Sequence, residues 1–421
     1  MRPSGSEKNK ESMEFHNAFR VFRSYNYRLF FTGQLISRIG MWMQRTAVIW
    51  IIYTMTDSVL MVGLATFAEQ FPSFLLSPAG GITADRYNRY RVLMVTQVTS
   101  ALQAVALTVT YHLGYHSLEL LLSLSLVLGI ANAFDIPARQ AMVNEIVEDK
   151  KDLPSAIAMN SSVNNLTRLL GPALAGIVLA KYGATLCFLT NALSFIAVIV
   201  CLTLMKYSHR PPDRVKKNVW AEFREGWQYT KRQTEIRQTL LLAASVSLLV
   251  STYNTLQPYF AKNIFSGDAS TYGYITAATG MGALVSTLYI ASQQSNRLLK
   301  KILLNNLFIL GAGLILMSFV RIEGLYLVMS FICGFGTMSV VPICNTIVQT
   351  TSNPQVRGRV LGFFAMATLG TLPLGSLFVG WVAEFISAEH VQLIQGMICL
   401  IIAGWFARFL RKPPPLPDIP P

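Results

Sequence analysis

Long apolar stretches dominate the chain and recur at a regular spacing. They fall at roughly 27–55, 58–84, 92–113, 117–136, 156–181 and 185–205. A second series falls at roughly 238–261, 271–292, 301–320, 325–350, 359–386 and 392–410. About 20 apolar residues in a helix cross the hydrocarbon core of a bilayer, so the pattern predicts an all-α polytopic protein with twelve transmembrane helices in two sets of six. The polar gap at 206–237 holds nine basic residues and the stretch Val219–Trp227, whose apolar positions suit a helix lying along the membrane surface. The expected organisation is a tail (1–26), a six-helix half (27–205), a basic linker (206–237), a second half (238–410) and a proline-rich tail (411–421). The first run is too long, and starts too late, for a secretory signal peptide.

Charge turns this pattern into a topology. With the first tail in the cytoplasm and the spans alternating, 29 of the 35 Lys and Arg residues fall on the cytoplasmic side. Lys181, Lys262 and Arg321 lie outside, and Arg38, Arg45 and Arg168 lie within spans. This positive-inside asymmetry predicts cytoplasmic termini. Only 13% of residues are charged and 52% are apolar, where soluble domains carry about 25% charge; an ordinary soluble enzyme is excluded. The net charge of +14 is then a feature of topology, facing anionic headgroups rather than nucleic acid. All five cysteines sit in apolar runs with no metal-ligand or redox spacing, and the five histidines are scattered. They predict small apolar fillers, no metal and no cofactor.

The two halves echo each other. Phe134-Asp135-Ile136-Pro137 closes the fourth run and Leu170-Gly171-Pro172-Ala173-Leu174-Ala175-Gly176 lies in the fifth. Their counterparts are Val340-Val341-Pro342 and Leu372-Pro373-Leu374-Gly375, at offsets of 205 and 201 residues. Repeated halves with interrupted helices at matching places mark secondary transporters. Each proline removes a helical donor and bends its helix, and Gly171 and Gly176 beside Pro172 let a neighbour approach.

The loop Gly81-Ile82-Thr83-Ala84-Asp85-Arg86-Tyr87-Asn88-Arg89-Tyr90-Arg91 resembles the signature loop of the major facilitator superfamily. Asn88 stands at that pattern's second glycine and Tyr90 interrupts its basic pair; Asn tolerates a left-handed turn. Further segments match one branch. They are Phe22-Arg23-Ser24-Tyr25-Asn26-Tyr27-Arg28-Leu29-Phe30, Gly40-Met41-Trp42-Met43-Gln44, Ala133 to Gln140, Asn160-Ser161, Leu170 to Gly176, Asn191-Ala192-Leu193-Ser194-Phe195 and Arg357-Gly358-Arg359-Val360. Over about residues 20–405 the chain resembles the enterobactin-exporter-like branch, the transmembrane secretion effectors. The resemblance implies a twelve-helix transporter whose first and fifth helices line a central cleft. Macrolide and multidrug exporters lie near this branch, and the Gly171-Pro172 motif is similar to one associated with proton-coupled antiporters.

Charges inside the spans are the candidate chemistry, since each costs about 2.5–3.5 kcal/mol to insert and so faces a cavity or a partner. Gln34, Arg38, Met41 and Arg45 share one face of the first helix, and Asn160, Asn164 and Arg168 share one face of the fifth. Guanidinium groups grip carboxylates and catecholates with two hydrogen bonds. Gln34, Arg38, Arg45, Asn160, Asn164 and Arg168, with Asn254 and Asn345 (and beside them Gln257 and Gln349), are therefore the expected contacts of an anionic small-molecule substrate. Bracing Glu69 and the carbonyls freed by Pro72 and Pro172 is the other role open to the arginines. Glu69 is the expected proton carrier because burial and a neighbouring arginine pull in opposite directions on a carboxyl. Asp135 and Glu384, near span ends, are secondary candidates. Asp85, Arg86 and Arg89 with Arg357 and Arg359 are expected to form a cytoplasmic gate.

The expected function is proton-coupled export of a siderophore or similar polar acid by a chain acting as a monomer. Broad drug or macrolide efflux is the alternative, and a transport-dead sensor or scaffold is the reading from another class. No HExxH or GxSxG motif occurs, and an intramembrane enzyme is not expected.

Overall fold

The computed structural model describes residues 20–147, 149–206, 219–293 and 295–411. The proline-rich tail and much of the first tail and linker lie outside them. Among the described residues the regular structure is helical throughout. Eleven helical segments are long and apolar enough to cross a membrane. A further helix, α1 (Tyr25–Thr56), is 32 residues long and carries Arg28, Arg38 and Arg45, which dilute its apolar character.

Contacts divide the chain into two units. The first comprises Met1–Lys216 with Ala261–Ala277, and the second Lys217–Phe260 with Ala278–Pro421. The segment 261–277 thus packs with the first unit although it follows the linker in sequence.

In the first unit α1 is followed by α2 (Val59–Arg86), α3 (Arg89–His112), α4 (Leu118–Ile146), α5 (Leu153–Tyr182) and α6 (Ala184–Leu204). Short polar residues set the helix starts: Ser24, Ser58, Asn88 and Ser117 each accept a hydrogen bond from a first-turn backbone N–H, satisfying an otherwise orphaned donor. Asn88 is extended (φ −62°, ψ 113°). It therefore works as the cap of α3 rather than as a left-handed turn. Gly183, at φ 80°, makes the tight reversal from α5 to α6, a conformation that a Cβ would strain.

One predicted run end moves. The apolar pattern of the fourth run stops at Pro137, but α4 continues to Ile146 with Pro137 inside it. The extension is stable because its charges are paired, Arg139 with Asp135 and Glu145 with Arg89. α2 and α4 cross at van der Waals distance. A Cβ on Gly80 would lie 2.0 Å from the Ala133 carbonyl oxygen, and one on Gly129 would lie 2.4 Å from that of Glu69. The segment 261–277 joins this unit through a Lys262–Asp57 ion pair, a 2.7 Å hydrogen bond from the Tyr53 hydroxyl to Asn263 and a Trp50–Tyr272 ring stack.

The second unit begins with α7 (Val219–Arg232), the helix expected in the linker. Glu225 on it pairs with Arg359 at 2.6 Å, and Trp227 packs on Phe363. α8 (Thr234–Leu249) passes into a 3-10 stretch, Ser251–Leu256. Pro258 cannot donate to the Asn254 carbonyl, so the Gln257 N–H takes it in a tighter turn. There follow α9 (Ala269–Ala291), whose first half belongs to the first unit, α10 (Asn296–Phe319) and α11 (Glu323–Thr351). α12 (Arg357–Ala365), a π turn at Met366–Gly370 and α13 (Thr371–Val382) form one span, and α14 (Ala388–Arg411) ends the unit. α9 and α11 repeat the close crossing seen between α2 and α4, with Gly282 against the Phe331 carbonyl and Gly334 against that of Thr279. Cys187, Cys333, Cys344 and Cys399 are buried and Cys201 half-buried, and all five are free thiols.

Candidate functional site

A cavity of about 310 Å³ opens within the first unit, walled by α1, α2, α4 and α5. The 3.6-residue period brings Arg38, Met41, Trp42 and Arg45 of α1 to it, and Asn160 and Asn164 of α5 face them. Glu69 comes from α2, and Ile136, Arg139 and Gln140 from α4.

The three guanidinium groups differ in how firmly they are held. Arg38 is 6% exposed. Its two terminal nitrogens donate to Asn160, one to the backbone carbonyl at 3.1 Å and the other to Oδ1 at 2.8 Å. Arg139 pairs with Asp135 at 2.8 Å and donates to Gln34 Oε1 at 2.9 Å. Asp135 also accepts from Thr96 Oγ1 at 3.1 Å and Gln97 Nε2 at 2.7 Å, so its carboxylate is well satisfied. Arg45 is the loosely held group: its Nε lies 3.4 Å from Glu69 Oε2, and its guanidinium sits 5.4 Å from the centre of the Trp42 ring.

The motifs around the cavity position these groups. Gly171 is where Trp42 rests; a Cβ there would stand 2.3 Å from that of Trp42. Pro172 stays within continuous α5, and Gly176 meets Gly273 at backbone contact. Pro72, three residues beyond Glu69, lacks the N–H that would serve the Ala68 carbonyl. Gly129 of α4 packs against that carbonyl and Ser73 donates to the Gly129 carbonyl at 2.7 Å. Behind Arg45, a buried chain runs from Asn191 through Gln44 to Gln103, at 2.7 and 3.1 Å.

The structure thus brings Arg38, Arg45, Asn160, Asn164 and Glu69 to one cavity, with Gln34 and Asp135 behind its wall. Arg168 is half-buried on α5 and is not among the residues named on that wall. In the second unit, Asn254 donates to the Ser251 carbonyl and accepts from Gln257, while Asn345 is half-buried on α11. Of the gate candidates, Asp85, Arg86 and Arg357 are exposed. Arg89 is tied to Glu145 and to the Ala84 carbonyl, and Arg359 to Glu225. Sequence reasoning missed Arg139, Gln140 and Trp42. The apolar pattern leaves Arg139 in a loop beyond Pro137; its i+4 spacing from Asp135 was the available signal. Among the described residues no group of three or more His, Cys, Asp or Glu could hold a metal.

Residues 16–416 match the profile of the transmembrane secretion effector family. The chain belongs to that family: it is a multi-pass membrane transporter of the major facilitator superfamily, not an enzyme. Among curated relatives it is 26% identical to the staphyloferrin A transporter of Staphylococcus aureus, covering 90% of this chain and 95% of that one. It is 24% identical to the multidrug efflux pump Tap of Mycolicibacterium fortuitum, covering 86% and 90%. It is also 24% identical to the enterobactin exporter EntS of Citrobacter koseri, covering 93% and 95%. Among solved structures, a POT family transporter in complex with 5-aminolevulinic acid superposes with a TM-score of 0.71 at 11% identity, over 91% of this chain and 95% of that one. This last likeness is one of fold.

Proposed function

We propose that the protein exports an anionic, oxygen-rich small molecule of the siderophore class across a bacterial inner membrane, driven by protons, with both termini in the cytoplasm. The observation that carries this reading is the cavity with three guanidinium groups, of which Arg45 alone is weakly engaged. A hydroxy acid or catecholate entering the cavity takes Arg45 through two charge-assisted hydrogen bonds and donates a hydroxyl hydrogen bond to the ionised Glu69 carboxylate. A proton on Glu69 removes that acceptor, so substrate and proton exclude each other, as the exchange of one for the other requires. Arg38, held by Asn160, and Arg139, held by Asp135, set the positive field of the wall. The relatives that carry staphyloferrin A and enterobactin support the cargo class.

The test is mass spectrometry of siderophores in medium and cell extract, from iron-starved cells lacking the protein and from their parent. Chelator retained inside and depleted outside is the expected result; equal secretion, in a strain without a second exporter, overturns the siderophore reading. The relation to Tap supports drug efflux as a second reading, for which the deletion strain would show raised susceptibility to antibiotics with chelator secretion unchanged.

A further inference from the structure

A second cavity, of about 460 Å³, lies apart from the guanidinium-lined one, between the end of α2, the first half of α3 and the middle of α4. Its character changes along its length. Tyr87, Asn88 and Arg91 stand at one end, where α2 turns into α3. Val95, Ile130 and Phe134 line the trough beyond. From Arg91 to Thr99 the helix rises about 12 Å, most of the ~15 Å depth of one hydrocarbon leaflet. Thr96 and Thr99 also line it, but their hydroxyls are spent on carbonyls of their own helix and, for Thr96, on Asp135. The trough therefore presents methyl groups and no unmet polar demand.

The polar end sits at a membrane boundary, because it is the turn joining two spans. Tyr87 is 64% exposed, as suits an aromatic at headgroup level. Arg91 is exposed, and no ion pair involves it among the described residues, whereas neighbouring Arg89 is held by Glu145. A cation at headgroup depth above an apolar trough one leaflet deep matches a single amphiphile of opposite charge.

We propose that this cavity is a binding site for an anionic phospholipid, with an acyl chain along Val95, Ile130 and Phe134 and the phosphate on Arg91 and Asn88. The floor residue Thr96 donates to Asp135, so the lipid abuts the buried pair behind the transport cavity.

The test is native mass spectrometry of the full-length protein in detergent, titrated with phosphatidylglycerol or phosphatidylcholine of equal chain length. One basic residue near the membrane surface contributes about 1 kcal/mol toward an anionic lipid, so about a fivefold preference for phosphatidylglycerol is expected. Arg91→Gln should abolish the preference while leaving basal phosphatidylcholine adducts. Val95→Trp fills the trough and should deplete both lipids. Ile130→Trp serves the same purpose if Val95→Trp is not monodisperse on size exclusion. Leu102→Trp, 66% exposed on the same helix and away from the trough, should leave binding unchanged. Equal binding of the two lipids, a preference that survives Arg91→Gln, or indifference to both trough-filling variants would overturn the site. Competition by free glycerol phosphate as effective as the lipid itself would also overturn it, in favour of a simple anion site.

Discussion

Arg38 and Arg45 face the same cavity from one helix, yet their hydrogen-bond partners give them different work. Arg38 is buried with both terminal nitrogens committed to Asn160, and hydrogen bonds to a charged group contribute about 1.5–3 kcal/mol each. Arg38→Gln should therefore lower thermal stability in detergent, by several degrees, before it touches transport. Arg45 has a long contact to Glu69 and an aromatic face beside it. Arg45→Gln should leave the melting temperature nearly unchanged and raise the apparent KM for export about tenfold or more, the loss of one bidentate pair. Equal stability losses in the two variants would count against this division. Asp135 and Arg139 form a pair of the opposite kind, enclosed and fully bonded. Removing one partner of such a pair costs about 3–5 kcal/mol. Asp135→Asn should be strongly destabilised, and adding Arg139→Gln should recover part of the loss in a double-mutant cycle.

Between elements, α2 and α4 approach closely, where Gly80 and Gly129 let backbones touch. Gly80→Val places methyl groups where the Ala133 carbonyl oxygen stands and should cost at least the 1–3 kcal/mol typical of overpacking, at about that order of magnitude, read as lost folded protein on fluorescence-detected size exclusion. This crossing marks what the sequence could and could not reveal. The apolar runs, their two sets of six and the proline positions were legible because hydrophobic length and turn chemistry are local properties. Where runs ended was less so. α4 passes through Pro137 because the charges beyond it are neutralised, Arg139 by Asp135 one turn back and Glu145 by Arg89 from another helix. Asn88 fits a turn by residue type and is a helix cap in the fold, a choice set by the direction in which α3 leaves the loop. The shared faces of α1 and α5 were visible from their period, but which arginine is tied down depends on side chains more than a hundred residues away, such as Asn160 against Arg38.

For the whole molecule, the proposal requires that proton and substrate compete for one loosely paired site while the bilayer holds a gradient across it. Each unit of pH difference supplies about 1.4 kcal/mol per proton, enough to concentrate the cargo about tenfold when one proton moves per cargo and the membrane potential is clamped at zero. In proteoliposomes with an imposed gradient of about one unit, the wild-type chain should build that accumulation and lose it when the gradient is dissipated. Glu69→Gln keeps the size of the side chain and a polar contact for Arg45 but cannot carry the proton. It should still equilibrate labelled cargo across the membrane at a rate within about an order of magnitude of wild type, and it should fail to concentrate it. If the variant concentrated cargo as well as the wild type, Glu69 would be a fixed brace for Arg45, and the coupling proton would have to be sought at the Asp135–Arg139 pair. If exchange and concentration disappeared together while the protein remained folded, Glu69 would be needed to shape the cavity itself. Only the split between exchange and concentration belongs to a carboxylate that alternates between the cargo and a proton.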